Sequence, residues 1–297
     1  MDEREWLAAR FEEQRPRLRS VAYRMLGSLT EADDAVQDAW LRFNAAGAEH
    51  VQNLGGWLTT IVARVCLNRL RSRHARREES LEAGLPDPVV SPDGRLQPED
   101  EALLADSVGL ALLVVLDMLG PAERLAFVLH DVFDLPYSEI AAIAGRSPTA
   151  ARQLASRARR RVQGAGLPVA DPDRARQRAV VNAFFAAARA GDFEALVALL
   201  DPEVVLRSDF GAGRRPAPPV IRGAAEVARS ALFGAALPTT VLYPALVNGA
   251  AGVVITVRGR PWAVMGFIVA GGRIVEIDAI ADSRRVRRLA AAVLQTP

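Results

Sequence analysis

The chain has 297 residues, half of them apolar, and this length predicts two or three domains that each bury a core. Its formal net charge is only +2, and all of its basic side chains are arginines. A single cysteine, Cys66, excludes an intramolecular disulfide, and the lack of a Cys/His cluster argues against a metal site or another cofactor. The charged N-terminus and the lack of an apolar run of ~20 residues argue against a signal peptide and a membrane span, so we expect a cytoplasmic protein.

Residues 5–77 are predicted to form an all-α domain, because apolar side chains recur at helical spacing over three segments. The second segment is acidic, with four carboxylates and no base between Thr30 and Trp40. The third is basic, with six arginines and no acid between Arg64 and Arg77. Helices of such separate charge predict one protein partner and one nucleic-acid partner. An ordinary solvated helix face is the alternative for each.

Residues 78–100 contain four prolines and are predicted to be a linker, and a second all-α domain follows at residues 101–163. Within it, Tyr137 to Arg161 predicts a helix-turn-helix. Gly145 suits the left-handed end of the first helix, and Ser147 and Pro148 suit the cap and first turn of the second.

The segment from Gly145 to Gln163, which contains the second of these helices, carries six arginines and no acid, whereas a solvated helix face normally mixes both signs. This face therefore predicts insertion into a DNA major groove. The predicted DNA-binding residues are Arg146, Ser147, Thr149, Arg152, Gln153, Ser156, Arg157, Arg159 and Arg160.

After a second linker at residues 164–173, residues 174–297 are predicted to form an α+β domain. Two helices precede five β-rich runs with one intervening helix, Gly271-Gly272 marks a hairpin turn, and a helix begins near Ser283. The candidate pocket or regulatory residues are Asp209, Tyr243, Trp262 and Asp278, with Asn248 as a further polar candidate. A purely structural role is the alternative for each, and no histidine follows His130 to act as a proton shuttle.

Residues 8–163 resemble a sigma factor of the extracytoplasmic-function (ECF) type in the sigma-70 family. The segments that carry the resemblance are Arg17–Ser28, Glu31–Phe43, Asn53–Arg64 and Leu119–Phe133 with the helix-turn-helix after it. The resemblance implies a sigma-2 domain that binds core RNA polymerase and the −10 element, and a sigma-4 domain that binds the −35 element.

The resemblance also assigns roles to residues of the first domain. Core polymerase, through its clamp helices, would be bound by Asp34, Gln37, Asp38 and Arg42. The −10 element would be bound by Asn53, Arg64, Asn68, Arg69, Arg71 and Arg73, and the loop from Asn44 to Asn53 would hold a flipped base.

Residues 174–297 resemble a SnoaL-like domain, a cone-shaped α+β barrel of the nuclear transport factor 2-like superfamily. The combination is similar to the SigJ-like group of sigma factors. Two motifs of that group are present in altered form. The Trp-Leu-Pro-Glu-Pro motif of the group corresponds here to Gly-Leu-Pro-Asp-Pro at Gly84–Pro88, and its Asp-Gly-Gly-Gly-Lys motif corresponds to Asp-Phe-Gly-Ala-Gly-Arg at Asp209–Arg214. We expect a regulatory domain that contacts the sigma-2 and sigma-4 domains, biases their relative placement, and has an unidentified small molecule as a further candidate partner.

The sequence therefore predicts a non-enzymatic RNA polymerase sigma factor that initiates transcription at promoter DNA. One alternative is a ligand-responsive DNA-binding regulator that acts without core polymerase, which a footprint on a symmetric site would favour. Another is an isomerase- or cyclase-type enzyme in the C-terminal domain, which loss of turnover in Asp209→Asn or Asp278→Asn would favour.

Overall fold

The computed structural model describes residues 3–46, 53–79, 84–94, 110–211, 220–237 and 239–295. The chain forms two compact units. The first comprises Met1–Ser80, Pro98–Val108 and Leu112–Leu167, and the second comprises Leu81–Gln97, Gly109–Ala111 and Pro168–Pro297. Within the described ranges, no helix is both long enough and apolar enough to cross a membrane.

The first unit is helical throughout its described part. Its elements are α1 (Glu3–Leu26), α2 (Leu29–Ala46), α3 (Leu54–Glu79), α4 (Leu110–Asp117), α5 (Pro121–Phe127), a π-helical turn (Val128–Val132), α6 (Tyr137–Ala144) and α7 (Pro148–Gly164). Residues 110 and 111 of α4 are counted with the second unit. The first three helices pack around buried side chains that include Phe11, Met25, Phe43, Leu58 and Val62. Burial of these apolar surfaces is the main force that holds the helices together.

The predicted helix-turn-helix is confirmed in its local geometry. Gly145 ends α6 in the left-handed conformation, with φ +67°, which glycine adopts without steric cost. The Ser147 side chain accepts a hydrogen bond from the Ala150 backbone N–H at 3.2 Å and so caps α7. Ala151, Ala155 and Ala158 are fully buried, and their small side chains allow α7 to approach its neighbours closely.

The second unit combines helices with one mixed sheet. Its elements are β1 (Val90–Pro92), α8 (Arg174–Ala190), α9 (Phe193–Leu199), β2 (Leu200–Asp209), β3 (Val220–Arg222), α10 (Ala224–Ala235), β4 (Thr240–Val247), β5 (Ala250–Val257), β6 (Arg260–Ala270), β7 (Arg273–Ile280), α11 (Ser283–Leu289) and α12 (Ala291–Leu294). The strand order is β1-β4-β5-β6-β7-β2-β3, and among the described strands only the β2–β7 pair is parallel. The predicted hairpin at Gly271-Gly272 joins β6 to β7, and both glycines have positive φ.

Helices α8, α9 and α10 cover one face of this sheet. The core between them includes Phe184 and Val227 from the helices and Leu206, Phe267 and Ile277 from the strands. This arrangement is the SnoaL-like α+β fold that the sequence predicts.

Part of the first predicted linker belongs to the second unit. Val90, Ser91 and Pro92 of β1 pair in antiparallel register with Val247, Leu246 and Ala245 of β4. The prediction of a linker over 78–100 is therefore corrected for this stretch, because Val89 and Val90 bury their side chains against the sheet. We call residues 84–93 the docked segment.

Candidate nucleic-acid interface and docked segment

The solvent face of α7 presents most of the residues predicted to bind the −35 element. Arg159 is half-buried, and those that are exposed are Arg146, Ser147, Thr149, Arg152, Gln153, Ser156, Arg157 and Arg160. The Arg152 guanidinium lies 5.4 Å from the centre of the Tyr137 ring, which holds it at the N-terminal end of the helix. This end is the part of a recognition helix that contacts base edges.

Three arginines of α7 are paired with acids of the same unit. Arg157 Nε lies 3.1 Å from Glu123 Oε1, and Arg161 Nη1 lies 2.6 Å from Glu123 Oε2. Arg159 Nη2 lies 2.6 Å from Asp131 Oδ1. The predicted DNA-binding arginines therefore fall into two groups. Arg157 and Arg159 are paired with acids of their own domain and orient the helix on it, whereas Arg152 has no acid partner among the described residues.

The basic helix α3 and the acidic helix α2 bind each other through their charges. Arg69 donates to the Asp38 carboxylate at 2.7 Å, and Arg73 donates to Glu31 at 2.7 Å. Arg69 also lies 4.0 Å from Asp34. Arg69 and Arg73, both predicted to bind the −10 element, are therefore paired with carboxylates of α2. Two of these carboxylates, Asp34 and Asp38, are predicted to bind core polymerase.

The remaining α2 and α3 predictions fall at the surface. Gln37, Arg42 and Asn68 are exposed. The Asn53 side chain accepts a hydrogen bond from the Gly56 N–H at 3.0 Å and so caps α3. Of the predicted base-holding loop, residues 47–52 lie outside the described residues.

Two arginines of α3 instead contact the helix-turn-helix. Arg64 donates to the Ala142 carbonyl and Arg71 donates to the Ala144 carbonyl, both at 3.3 Å. These carbonyls lie at the C-terminal end of α6, where the helix dipole favours a cation. The basic face of α3 therefore lies against α6 in the first unit.

A buried polar contact joins the same two helical regions. Arg24 and Arg124 are almost fully buried, and Arg124 Nε donates to the Arg24 carbonyl at 3.1 Å. Arg124 also pairs with Asp117 at 3.1 Å, and the Arg24 guanidinium lies 5.2 Å from the Phe133 ring centre. Buried charges need such partners, since an unpaired one would be costly.

In the second unit, side chains of α11 and β2 hold the docked segment. Arg285 donates to the Asp87 carboxylate at 2.7 Å, to the Leu85 carbonyl at 2.6 Å and to Asp209. Asp209 in turn accepts from the Leu85 N–H at 2.8 Å, and Arg288 pairs with Asp87.

Two further contacts hold the other end of the docked segment. Val89 and Asn248 exchange hydrogen bonds, with the Val89 N–H donating to Asn248 Oδ1 at 2.7 Å and the Asn248 N–H donating to the Val89 carbonyl at 2.8 Å. Arg178 Nε lies 2.9 Å from Asp93 Oδ2. Charge and backbone pairing thus fix the segment along its whole length.

The two altered motifs of the sequence meet at this site. A Cβ atom on Gly84 would lie 2.8 Å from Asp209 Oδ2, so the glycine leaves space for the carboxylate that holds Leu85. Of the second motif, residues 212–214 lie outside the described residues. Sequence reasoning missed Arg285 and Arg288, although their spacing of three places both on one helix face.

The candidate pocket residues are separated by the sheet. Trp262 lines a cavity of about 300 Å³, whereas Asp209, Tyr243 and Asp278 do not line it. Asp278 forms instead an ion pair with Arg207 at 3.1 Å, beside Glu276. Of the four candidate pocket or regulatory residues, Trp262 alone lines this cavity among the described residues, because alternate residues of a strand face opposite sides of the sheet.

The family comparisons agree with this architecture. The sigma-70 region 2 model matches residues 10–76, and the sigma-70 region 4 model matches residues 109–162. The helical part is therefore that of a sigma-70 type transcription initiation factor.

Relatives that match both the helical part and the C-terminal part of the chain show which type of sigma-70 factor it is. The chain is 41% identical over 220 residues to the ECF RNA polymerase sigma factor SigJ of Mycobacterium tuberculosis, covering 74% of this chain and 70% of SigJ. It is 33% identical to the "Probable ECF RNA polymerase sigma factor SigI" of the same species, covering 94% of each. The crystal structure of M. tuberculosis SigJ matches with a TM-score of 0.74 and 34% identity over 94% of this chain and 97% of that chain.

The chain belongs to the family of ECF RNA polymerase sigma factors, and it carries a C-terminal SnoaL-like domain. Its function is that of a sigma factor in transcription initiation. The alternative of a regulator that acts without polymerase is not favoured, because the relatives over nearly the whole chain are sigma factors.

Proposed function

We propose that this sigma factor reads the −35 element with the exposed face of α7 and the −10 element with α3, and that the C-terminal domain restrains both by holding the docked segment. Core polymerase would be bound through α2, where Asp34 and Gln37 are exposed. The observation that carries the proposal is the set of hydrogen bonds from Arg285 to Leu85, Asp87 and Asp209.

The contacts of α3 support a closed state of the helical unit. Arg64 and Arg71 each direct one N–H group at a carbonyl of α6, which brings α6 against the α3 face proposed to bind the −10 element. We expect promoter binding to separate region 2 from region 4 and to replace these bonds to neutral carbonyls with bonds to negatively charged phosphate.

The length of free chain explains how the docked segment would oppose this separation. With residues 84–93 held, only residues 80–83 connect the end of α3 to the segment. Five extended steps of about 3.6 Å reach at most about 18 Å. Release of the segment would instead leave all of residues 80–109 as a tether, and a longer tether permits a wider range of separations.

Arg285→Ala in the full chain tests this proposal. The change removes the donors that bind Leu85, Asp87 and Asp209 together, so we expect release of the segment. The measurement is in vitro transcription from the protein's own upstream region with core polymerase and limiting sigma factor. We expect several-fold more transcript than with the unaltered chain.

Arg287→Ala is the matched control, because Arg287 is exposed on the same helix and has the same charge. It should transcribe like the unaltered chain. Equal transcript from both variants, with circular dichroism showing that both are folded, would refute the restraint. Lost transcription in Arg285→Ala alone would show instead that the docked segment supports activity.

A further inference from the structure

The C-terminal domain contains a cavity of about 300 Å³ between its sheet and its helices. The walls come from α8 and α10 on one side and from β2, β4, β5, β6 and β7 on the other. Its inner wall includes Phe184, Leu206, Val227 and Ile277, which also belong to the buried core of the domain. The cavity therefore reaches into the core and is not a groove on the surface.

The lining is apolar with few polar groups. Its hydroxyls come from Ser208, Ser230 and Thr240, and Arg189 supplies the one charged side chain among the described lining residues. The acids Glu276 and Asp278 are absent from this lining. Arg189 is exposed to solvent, so a charged ligand inside the cavity would lose hydration without gaining a buried counter-charge, and the walls favour a neutral occupant.

Aromatic side chains at the edge of the cavity are exposed to solvent. Phe210 is 37% exposed, Trp262 is 39% exposed and Phe233 is 83% exposed, and all three line the cavity. An exposed patch of large apolar side chains marks a site of interaction with a ligand or another molecule. Flat aromatic surfaces of this kind stack well on a ring system.

We infer that this cavity binds a neutral, ring-containing apolar small molecule that carries one or two hydroxyl or carbonyl groups. The apolar walls supply the affinity, and the three hydroxyl side chains supply partners for the oxygen substituents. The volume lies at the lower end of the range of about 300–1,000 Å³ found for small-molecule sites. An apolar cavity that stayed empty would only destabilise the domain.

The probe for this site is 2-naphthol, a neutral two-ring molecule with one hydroxyl group, titrated into the full chain. Its fluorescence should show saturable binding of one molecule per chain. Naphthalene-2-sulfonate has the same rings with a negative charge, and we expect it to bind at least tenfold more weakly. Equal or tighter binding of the sulfonate would overturn the neutral class.

Ala279→Leu tests the location, because Ala279 lies on β7 and lines the cavity. The larger side chain should fill the space and weaken 2-naphthol binding at least tenfold. Ala186→Leu is the matched control on the exposed face of α8, and its affinity should equal that of the unaltered chain. If Ala279→Leu does not fold, Ala231→Leu fills the same cavity from α10.

No saturable binding to the unaltered chain would overturn the inference, and so would binding that the cavity-filling variants leave unchanged. This titration contains neither DNA nor polymerase. Its failure therefore leaves the proposed restraint on the helical domains in place.

Discussion

Asp278 shows how one residue can make the stability of the C-terminal domain depend on pH. Burial and the neighbouring Glu276 carboxylate raise the pKa of Asp278 to about 7, while Arg207 opposes the shift. In the unfolded chain the same group ionises near its ordinary value of 3.8. Between these values the folded state binds more protons than the unfolded state, so the free energy of unfolding falls as pH rises through this window.

Asp278→Asn should remove most of the decrease in the free energy of unfolding that accompanies rising pH. The amide keeps the shape of the protonated acid and an oxygen for Arg207, but it cannot ionise. We expect little change near about pH 4 and a gain of about 1–3 kcal/mol in the free energy of unfolding near about pH 8, since one pKa unit corresponds to about 1.4 kcal/mol. Urea unfolding of the full chain, followed by circular dichroism across this range, measures the effect.

Glu203→Gln is the control for that experiment, because Glu203 is an exposed acid on β2 of the same domain. It should keep the pH dependence of the unaltered chain. If Asp278→Asn also kept it, the pH dependence would have another source.

At the scale of a single helix, the arginines of α7 should differ in their effect on DNA binding. Arg152 is exposed and stacks on Tyr137, whereas Arg157 is already paired with Glu123. Arg152→Ala should weaken binding of the holoenzyme to −35 duplex by about 1–3 kcal/mol if the side chain makes a bidentate base contact. Arg157→Ala should cost less, because DNA would first have to replace its acid partner.

Fluorescence anisotropy of a labelled −35 duplex with the holoenzyme compares the two variants under the same salt conditions, since phosphate contacts depend on salt. Arg17→Ala serves as the control, because Arg17 is exposed on α1 and belongs neither to the predicted DNA face nor to the residues predicted to bind polymerase. An equal loss for Arg152→Ala and Arg157→Ala would contradict this ranking.

The helix-turn-helix could be predicted from sequence because its determinants are local. Gly145, Ser147 and Pro148 act on the backbone within a few residues of themselves, and the structure confirms their roles. The acid partners of the same helix could not be predicted. Glu123 is 34 residues from Arg157, and only the packing of α5 against α7 brings the two together.

The sheet was harder to predict for a related reason. The strands could be located from their composition. Which alternate residues of a strand face the cavity, however, depends on how the strand pairs with its neighbours in the sheet. Ser208 lines the cavity, and the adjacent Asp209 binds the docked segment instead. The sequence around Val90–Pro92 predicts a linker, because β4, the strand that pairs with it, lies more than 140 residues further along the chain.

At the scale of the whole chain, two restraints would act together. Within the first unit, buried Arg24 and Arg124 join regions 2 and 4, and Arg64 and Arg71 bring α3 against α6. Within the second unit, Arg285 holds the segment that connects those regions. Each restraint is a small set of polar contacts, so polymerase and DNA could outweigh them through many phosphate and protein contacts.

Energy transfer between two dyes would report the separation of regions 2 and 4 directly. Arg17→Cys on α1 and Gln163→Cys on α7 place exposed thiols on the two regions. The native Cys66 should not react, because it is fully buried and burial raises its pKa to about 12. We expect the transfer efficiency to fall when core polymerase and promoter DNA are added to the labelled chain.

The same pair of dyes also tests whether the docked segment limits the separation of regions 2 and 4. Arg285→Ala should lower the transfer efficiency of the free protein, because release of the docked segment removes one of the two limits on separation. A chain labelled at Arg17→Cys and Asn44→Cys carries both dyes on region 2 and should show no change under either condition. If the efficiency between regions 2 and 4 stayed constant in a transcribing complex, the closed contacts of α3 would persist during initiation, and the −10 element would have to be bound by other residues.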